Sequence, residues 1–167
     1  ASDALLRWVF PDPSSYLKSF DIWMEEFSKI SFENNIVYSE ENFYGSALWH
    51  PPGVEFDNSA LEPTFDSIPS DRIEVVIKFF EEFEKYHPDD AWYLPFIAVD
   101  PAQQRKGIGS FLLKEALKMV DERGDRAYLE ASNEQNKALY ERHGFVEIGR
   151  VQFEDSPPAF PMIREAR

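Results

Sequence analysis

The chain has 167 residues, 43% hydrophobic and 16% aromatic, and contains no cysteine. That composition predicts one packed domain over 1–167 and excludes wholesale disorder, disulfides, thiolate metal sites and a cysteine nucleophile. A net charge of −14 argues against a nucleic-acid partner, because phosphate backbones are met by basic faces. It tolerates a cationic small substrate, and its simplest effect is to keep the protein in solution.

Taken in chain order, Asp12 followed by Pro13 reads as a helix start: a carboxylate cap, then proline where its missing N–H costs nothing. Tyr16, Phe20, Trp23, Phe27 and Ile30 follow at spacings of four and three, the pattern of an amphipathic helix. Residues 36–39 (IVYS) and 44–50 (YGSALWH) read as short strands, with Glu40, Glu41 and Asn42 in the turn between them. Pro51-Pro52-Gly53 ends the second. Residues 53–70 show no clear period and read as loop. Asp71, with Glu74 three residues on, resembles a capping box. Ile73, Val76, Ile77, Phe80 and Phe83 line one face of the helix that follows, and His87-Pro88 closes it.

Residues 91–99 (AWYLPFIAV) form the clearest strand, with Pro95 in its middle. Proline cannot donate to a ladder, so the strand is expected to bulge there or part from one neighbour. Ile108, Phe111, Leu112, Ala116, Met119 and Val120 mark a long helix stopped by Gly124. Residues 127–131 read as a strand, Asn133 as the cap of a short helix ending at Gly144, and 145–153 and 159–165 as a closing pair of strands. The order predicts an α+β, or mixed α/β, layer without internal repeat. No run nears the roughly 20 apolar residues of a membrane span. No leader with a basic start and an apolar centre is visible, and a cytoplasmic location with no membrane partner is expected.

The joint Gln104-Arg-Lys-Gly-Ile-Gly-Ser110 connects the proline-bearing strand to the long helix. A helix mouth presents free N–H groups and the positive end of its dipole, which suits an anion. Gly107 and Gly109 let a phosphate approach the backbone, and Arg105 and Lys106 add charge at the rim. A capped turn that binds nothing would read the same way, so this stretch alone leaves both readings open. An ATP-type loop is excluded, because the Gly-Lys-Ser/Thr it needs is missing. A dinucleotide fingerprint is excluded because Leu112 stands where it needs glycine or alanine.

Gln104-x-x-Gly107-x-Gly109, between strand and helix, resembles the acetyl-CoA signature of the GNAT-type N-acetyltransferases. Residues 129–145 (LEASNEQNKALYERHGF) resemble that family's other cofactor motif: strand, Asn, a short helix carrying Tyr, then Gly-Phe. The blocks lie in the family's order and at about its separation, and the resemblance covers roughly 36–167. Within it, residues 92–104, residues 129–145 and Pro158-x-x-Pro161-Met162-x-Arg164 are similar to the puromycin-acetyltransferase-like branch. The resemblance implies a central mixed, mostly antiparallel sheet flanked by helices, with splayed central strands. The family fold opens with a strand and a first helix, and residues 4–10 would supply only the end of that helix. The first strand is therefore expected to be missing from this chain, which opens on Ala1 rather than Met and is expected to lack its true start.

By the same resemblance, backbone amides across Arg105, Lys106, Gly107, Ile108, Gly109 and Ser110 hold the pyrophosphate of acetyl-CoA, and Gln104 completes the motif. Arg142 reaches the 3′-phosphate unless it is ordinary surface. The backbone of Ile97, Ala98 and Val99 pairs with the pantetheine arm as with an added strand, and an N–H near Phe96 or Ile97 meets the developing oxyanion. Tyr140 is the expected general acid, a phenol with pKa near 10 that protonates the leaving thiolate; the alternative is a buried tyrosine anchored by its hydroxyl. Asn133 and Asn136 are both cofactor candidates, and Asn136 is the one turned to the pantetheine if Asn133 is only the cap. Glu130 is the first candidate for the base, with His87 and His50 next. Three scattered histidines give no metal site. The expected activity is acetyl transfer to a primary amine of a small molecule in a ternary complex, by a monomer or homodimer, with the first helix and residues 51–70 lining the acceptor pocket. Two rivals remain at this point: a CoA-binding regulatory module without turnover, and a binder of another phosphate ligand.

Overall fold

In the computed structural model, which describes residues 3–167, six strands form one sheet. They are β1 (Val37–Ser39), β2 (Gly45–His50), β3 (Ala91–Val99), β4 (Arg126–Ala131), β5 (Val146–Glu147) and β6 (Phe160–Arg164), in the order β1-β2-β3-β4-β6-β5. Only β3 and β4 run parallel; the other neighbours are antiparallel. This is the mixed, mostly antiparallel sheet expected. Five helices flank it: α1 (Ala4–Val9), α2 (Pro13–Glu33), α3 (Ile73–Glu84), α4 (Ile108–Arg123) and α5 (Glu134–Glu141). Among the described residues no strand precedes α1, and β1 forms the sheet's edge. Among them, too, no helix is long and apolar enough to cross a membrane.

Strand alternation divides the sheet into two apolar faces. Trp92, Leu94, Leu129 and Ala131 pack with Leu112, Leu113 and Val120 of α4 and Tyr140 of α5. The opposite face lies under the first three helices, with Trp8, Phe10, Trp23, Val76 and Phe79 at its centre. Their lengths and ends follow from local chemistry. Asp12 Oδ2 accepts from the Ser15 N–H at 2.8 Å with Pro13 in the first helical position, as predicted for α2. Gly124, with φ of 72°, ends α4.

Four expectations are corrected. Residues 4–9 are a separate short helix with its own cap, Asp3, which accepts from the Leu6 N–H at 3.0 Å. Residues 58–67 are not loop but a 3-10 run capped by Asp57; its near-threefold period and Pro63 hide it from a search at 3.6 residues. Asp71 does not cap α3. It lies in a turn closed by the Arg72 N–H to the Pro69 carbonyl (2.8 Å), and the helix begins at Ile73 without a side-chain cap. The first closing strand is also broken: residues 145–153 pair only at Val146 and Glu147, then at Val151 with Ala159. Between them the Tyr86 ring presses on Gly149, where a Cβ would lie 2.3 Å from a ring carbon.

Candidate active site

The parallel β3–β4 ladder has three pairs: Ala91↔Arg126, Trp92↔Ala127 and Tyr93↔Tyr128. Beyond Tyr93, β3 continues beside β2 to Val99, while β4 continues beside β6 to Ala131. The strands part at Leu94-Pro95. There the β2–β3 register also shifts, so that Leu48 to His50 spans two steps against three from Phe96 back to Tyr93. The extra residue on β3 is the bulge anticipated at Pro95, which has no N–H to offer a ladder. Ile97, Ala98 and Val99 follow it, half-buried, exposed and half-buried respectively. Their side towards β4 carries no strand.

The mouth of α4 lies at the end of that opening. Gly107 is the cap residue, with φ of 89° and no side-chain cap bond; a Cβ there would strain the backbone by roughly 1 kcal/mol or more. Arg105 is also left-handed, with φ of 63°. The turn leaves the N–H groups of Ile108, Gly109 and Ser110, the first three helical positions, without helical partners. Gln104 Nε2 donates to the Val99 carbonyl at 3.3 Å, which ties the turn to β3. Lys106 Nζ donates to Gln103 Oε1 at 2.7 Å and faces a cleft whose far wall is Ser39, Glu40 and Glu41. Arg142 is exposed, and its Nη1 donates to the Ala138 carbonyl at 2.8 Å.

Tyr140 occupies the last turn of α5, with a buried ring edge-on to Phe145 at 6.0 Å. Burial first, then the negative charges of Asp3 and Glu130, push its phenol well above the usual range, so it keeps its proton. Asn133 caps α5, accepting from the Asn136 N–H at 2.8 Å. The Asn136 amide, by contrast, has only a 3.5 Å contact with Ser132 Oγ.

Glu130 sits on β4 where the strands have parted. Burial pushes its carboxyl up to about 7, against the opposing pull of the Tyr93 and Tyr128 hydroxyls beside it. Tyr128 Oη is sealed from solvent and completes no hydrogen bond in good geometry, so a donor stands in reserve next to the carboxyl. The Tyr93 and Tyr128 rings are 5.9 Å apart, and His87 packs edge-on to both, at 4.7 and 5.1 Å. Burial lowers the pKa of both His87 and His50. His50 Nε2 lies 2.8 Å from the Phe27 carbonyl. A carbonyl only accepts, so His50 must donate there and its Nε2 is unavailable as a base. Towards α2, the half-buried ring of Phe27 stacks on Phe56 at 4.2 Å and meets Phe96 edge-on at 5.4 Å.

The Acetyltransferase (GNAT) family model matches residues 74–145, the span from α3 through the α4 mouth to Phe145. Across 99% of the chain the sequence is 26% identical to an uncharacterized N-acetyltransferase of Schizosaccharomyces pombe, 78% of which is covered. The chain is similar to GNAT-type acetyltransferases in both comparisons. Its fold is similar to a Corynebacterium glutamicum structure described as histone acetyltransferase HPA2 and related acetyltransferase (TM-score 0.63, 25% identity, 99% of this chain and 83% of that one). It is also similar to arylalkylamine N-acetyltransferase 2 of Aedes aegypti (TM-score 0.61, 13% identity, 99% and 88%).

One polar contact at the site escaped the sequence reading. Ser110 Oγ and His143 Nε2 lie 2.8 Å apart, joining the first turn of α4 to the turn after α5. The two residues are 33 positions apart, and no local spacing announces such a pair. A histidine flanking the Tyr140 helix was the only available hint.

Proposed function

We propose that the chain, acting as one domain over 1–167, moves the acetyl group of acetyl-CoA to a primary amine of a small molecule by direct attack in a ternary complex. The observation that carries this reading is the three-pair β3–β4 ladder opening onto an uncapped helix mouth. It is an extended slot ending in a cradle of free amides, which fits a long polar arm that terminates in a diphosphate. Bound there, acetyl-CoA supplies the activated acyl thioester. Amides from Arg105 to Ser110 bind the diphosphate, Gln104 braces their turn against Val99, and Arg142 meets the 3′-phosphate. Backbone groups of Ile97, Ala98 and Val99 hold the arm from one side, and the spare amide of Asn136 holds it from the other.

Glu130 takes the proton of the attacking ammonium. With a pKa near 7 it is close to half ionised at neutral pH, the condition under which a base is both available and strong enough. Tyr140, kept protonated, delivers its proton to the departing sulfur. The ammonium loses one proton to Glu130 and attacks as the neutral amine. As the C–N bond forms the C–S bond breaks, the thiolate takes the proton of Tyr140, and the second proton leaving nitrogen restores the phenol. The rings of Phe27, Phe56, Phe96 and Tyr93 line the acceptor's approach to Glu130 and suit an amine on an apolar body. Residues 129–145 and 158–164 support a place near the puromycin-acetyltransferase-like branch.

The test is thiol release from acetyl-CoA over a panel of small amines, with thermal shift by acetyl-CoA, ATP and a dinucleotide measured alongside. Turnover of at least one amine and a larger shift with acetyl-CoA are expected. A larger shift with ATP, or no thiol release with any amine, overturns the reading.

A further inference from the structure

We propose that His143 is a positioning residue that orients the Ser110 hydroxyl towards the bound diphosphate and ties the phosphate cradle to the turn carrying Tyr140. The inference rests on the acetyl-CoA reading above. Ser110 is the third residue of α4, so its N–H and its hydroxyl stand at the same helix mouth. Its hydroxyl has one proton. If His143 Nε2 is bare, Ser110 donates to it and is lost to a phosphate. If Nε2 carries hydrogen, it donates to Ser110 Oγ and frees the hydroxyl proton for the anion. Diphosphate binding therefore selects the second arrangement, a relay from imidazole through hydroxyl to phosphate oxygen.

His143 is held firmly enough to act this way. Its carbonyl accepts from Arg164 Nε at 2.9 Å, and Arg164 pairs in a fork with Asp121, at 2.7 and 2.8 Å. Asp121 lies near the far end of α4, so Ser110, His143, Arg164 and Asp121 close a loop of contacts spanning that helix. The His143 N–H donates to the Tyr140 carbonyl at 2.9 Å, and the Phe145 N–H reaches the same carbonyl at 3.2 Å. Any adjustment of Ser110 on its ligand is felt within one turn of the expected acid.

The charges around the imidazole point the same way. Lys114 on α4, Arg142 beside it and Arg164 on β6 all face it, with Asp121 neutralising only the last. Burial and then these cations lower its pKa. Arg105, Lys106, Lys114 and Arg142 form no ion pair among the described residues. All four lie in the turn before α4, in its first two turns or at the end of α5. An anion placed among them removes the penalty against a proton on His143, and linkage then requires acid to tighten the anion's binding.

The experiment uses 3′-dephospho-CoA, because its diphosphate does not titrate in the imidazole range. Calorimetric Kd values are taken at pH about 8 and about 5.5, either side of the ordinary histidine pKa. Wild type should bind severalfold tighter at the acid value. His143→Gln, which keeps a neutral donor, should stay within about threefold of wild type at the alkaline value but lose the slope. Ser110→Ala should bind about fivefold more weakly, for one lost hydrogen bond, with a reduced slope. Thermal melts establish that each variant folds, and His143→Asn replaces His143→Gln if the latter does not. An unchanged slope in the His143 variant, or tighter wild-type binding at alkaline pH, overturns the inference and leaves acetyl transfer standing. Failure of wild type to bind either dephospho-CoA or acetyl-CoA removes the parent reading and this one together.

Discussion

The two faces of the sheet are built from different materials. Under α4 and α5 the core is mainly aliphatic, with Leu94, Leu112, Leu113, Leu117, Val120 and Leu129 all buried. Under the first three helices rings meet rings: Phe79 alone has Trp8 at 5.3 Å, Phe80 at 5.7 Å, Phe83 at 4.9 Å and Phe153 at 6.5 Å. Under the proposed acetyl transfer, recognition divides the same way. The side assigned to the coenzyme offers backbone groups, set by two left-handed residues and a strand that parts at a proline. The side assigned to the acceptor offers side chains: Glu130, its tyrosines and the half-buried phenylalanines. A backbone cradle is indifferent to most substitutions outside its turns, whereas a wall of side chains changes its selectivity with each replacement.

Truncating one face without the other tests that division. Phe79→Ala should cost about 3–5 kcal/mol of stability, the usual result of emptying a packed aromatic site. Among molecules still folded at low temperature, it should barely move acetyl-CoA affinity; chemical denaturation and calorimetry read the two effects separately. Tyr140→Phe keeps the ring against Phe145 and removes only the proton. It should lower kcat by roughly 10²–10³-fold with coenzyme Kd nearly unchanged, and a large loss of binding instead would make the tyrosine structural.

Glu130→Gln should lower kcat/KM by roughly 10²-fold at neutral pH. Wild-type kcat/KM should rise with pH through a midpoint near 7 and then level off, while the variant's profile should be flat there. Stability should move in the opposite sense. The folded carboxyl holds its proton to a higher pH than the unfolded one, whose reference is 4.5. The wild type therefore loses stability as pH climbs from 4.5 towards 7, and the glutamine variant does not. Denaturation midpoints at acid and mildly alkaline pH would show the crossing. The smallest effect belongs to the cradle's turn. Gly107→Ala should cost about 1 kcal/mol through its left-handed backbone and should weaken acetyl-CoA severalfold, with acceptor KM unaffected.

Legibility followed sequence distance. The α2 cap at Asp12, the stop at Gly124, the α5 cap at Asn133 and the break at Pro95 all rest on interactions within a few residues, and each was visible in the string. The 3-10 run at 58–67 was missed because its period differs from the one sought. The failed capping box at Asp71 shows that the right residues at the right spacing still yield to the turn that precedes the helix. Among the histidines, spacing could not distinguish His50, bound to the Phe27 carbonyl, from His87 against the tyrosines or His143 on Ser110.

By itself the sequence determined the glycine turn, the strand that must part at Pro95 and the helix that presents Tyr140, because torsional preference and missing N–H groups act locally. Only the tertiary structure decided that Glu130 titrates near neutrality, that His50 is committed to a carbonyl and that His143 meets Ser110. Burial and long-range contact set those properties, and both depend on which distant segments fold together.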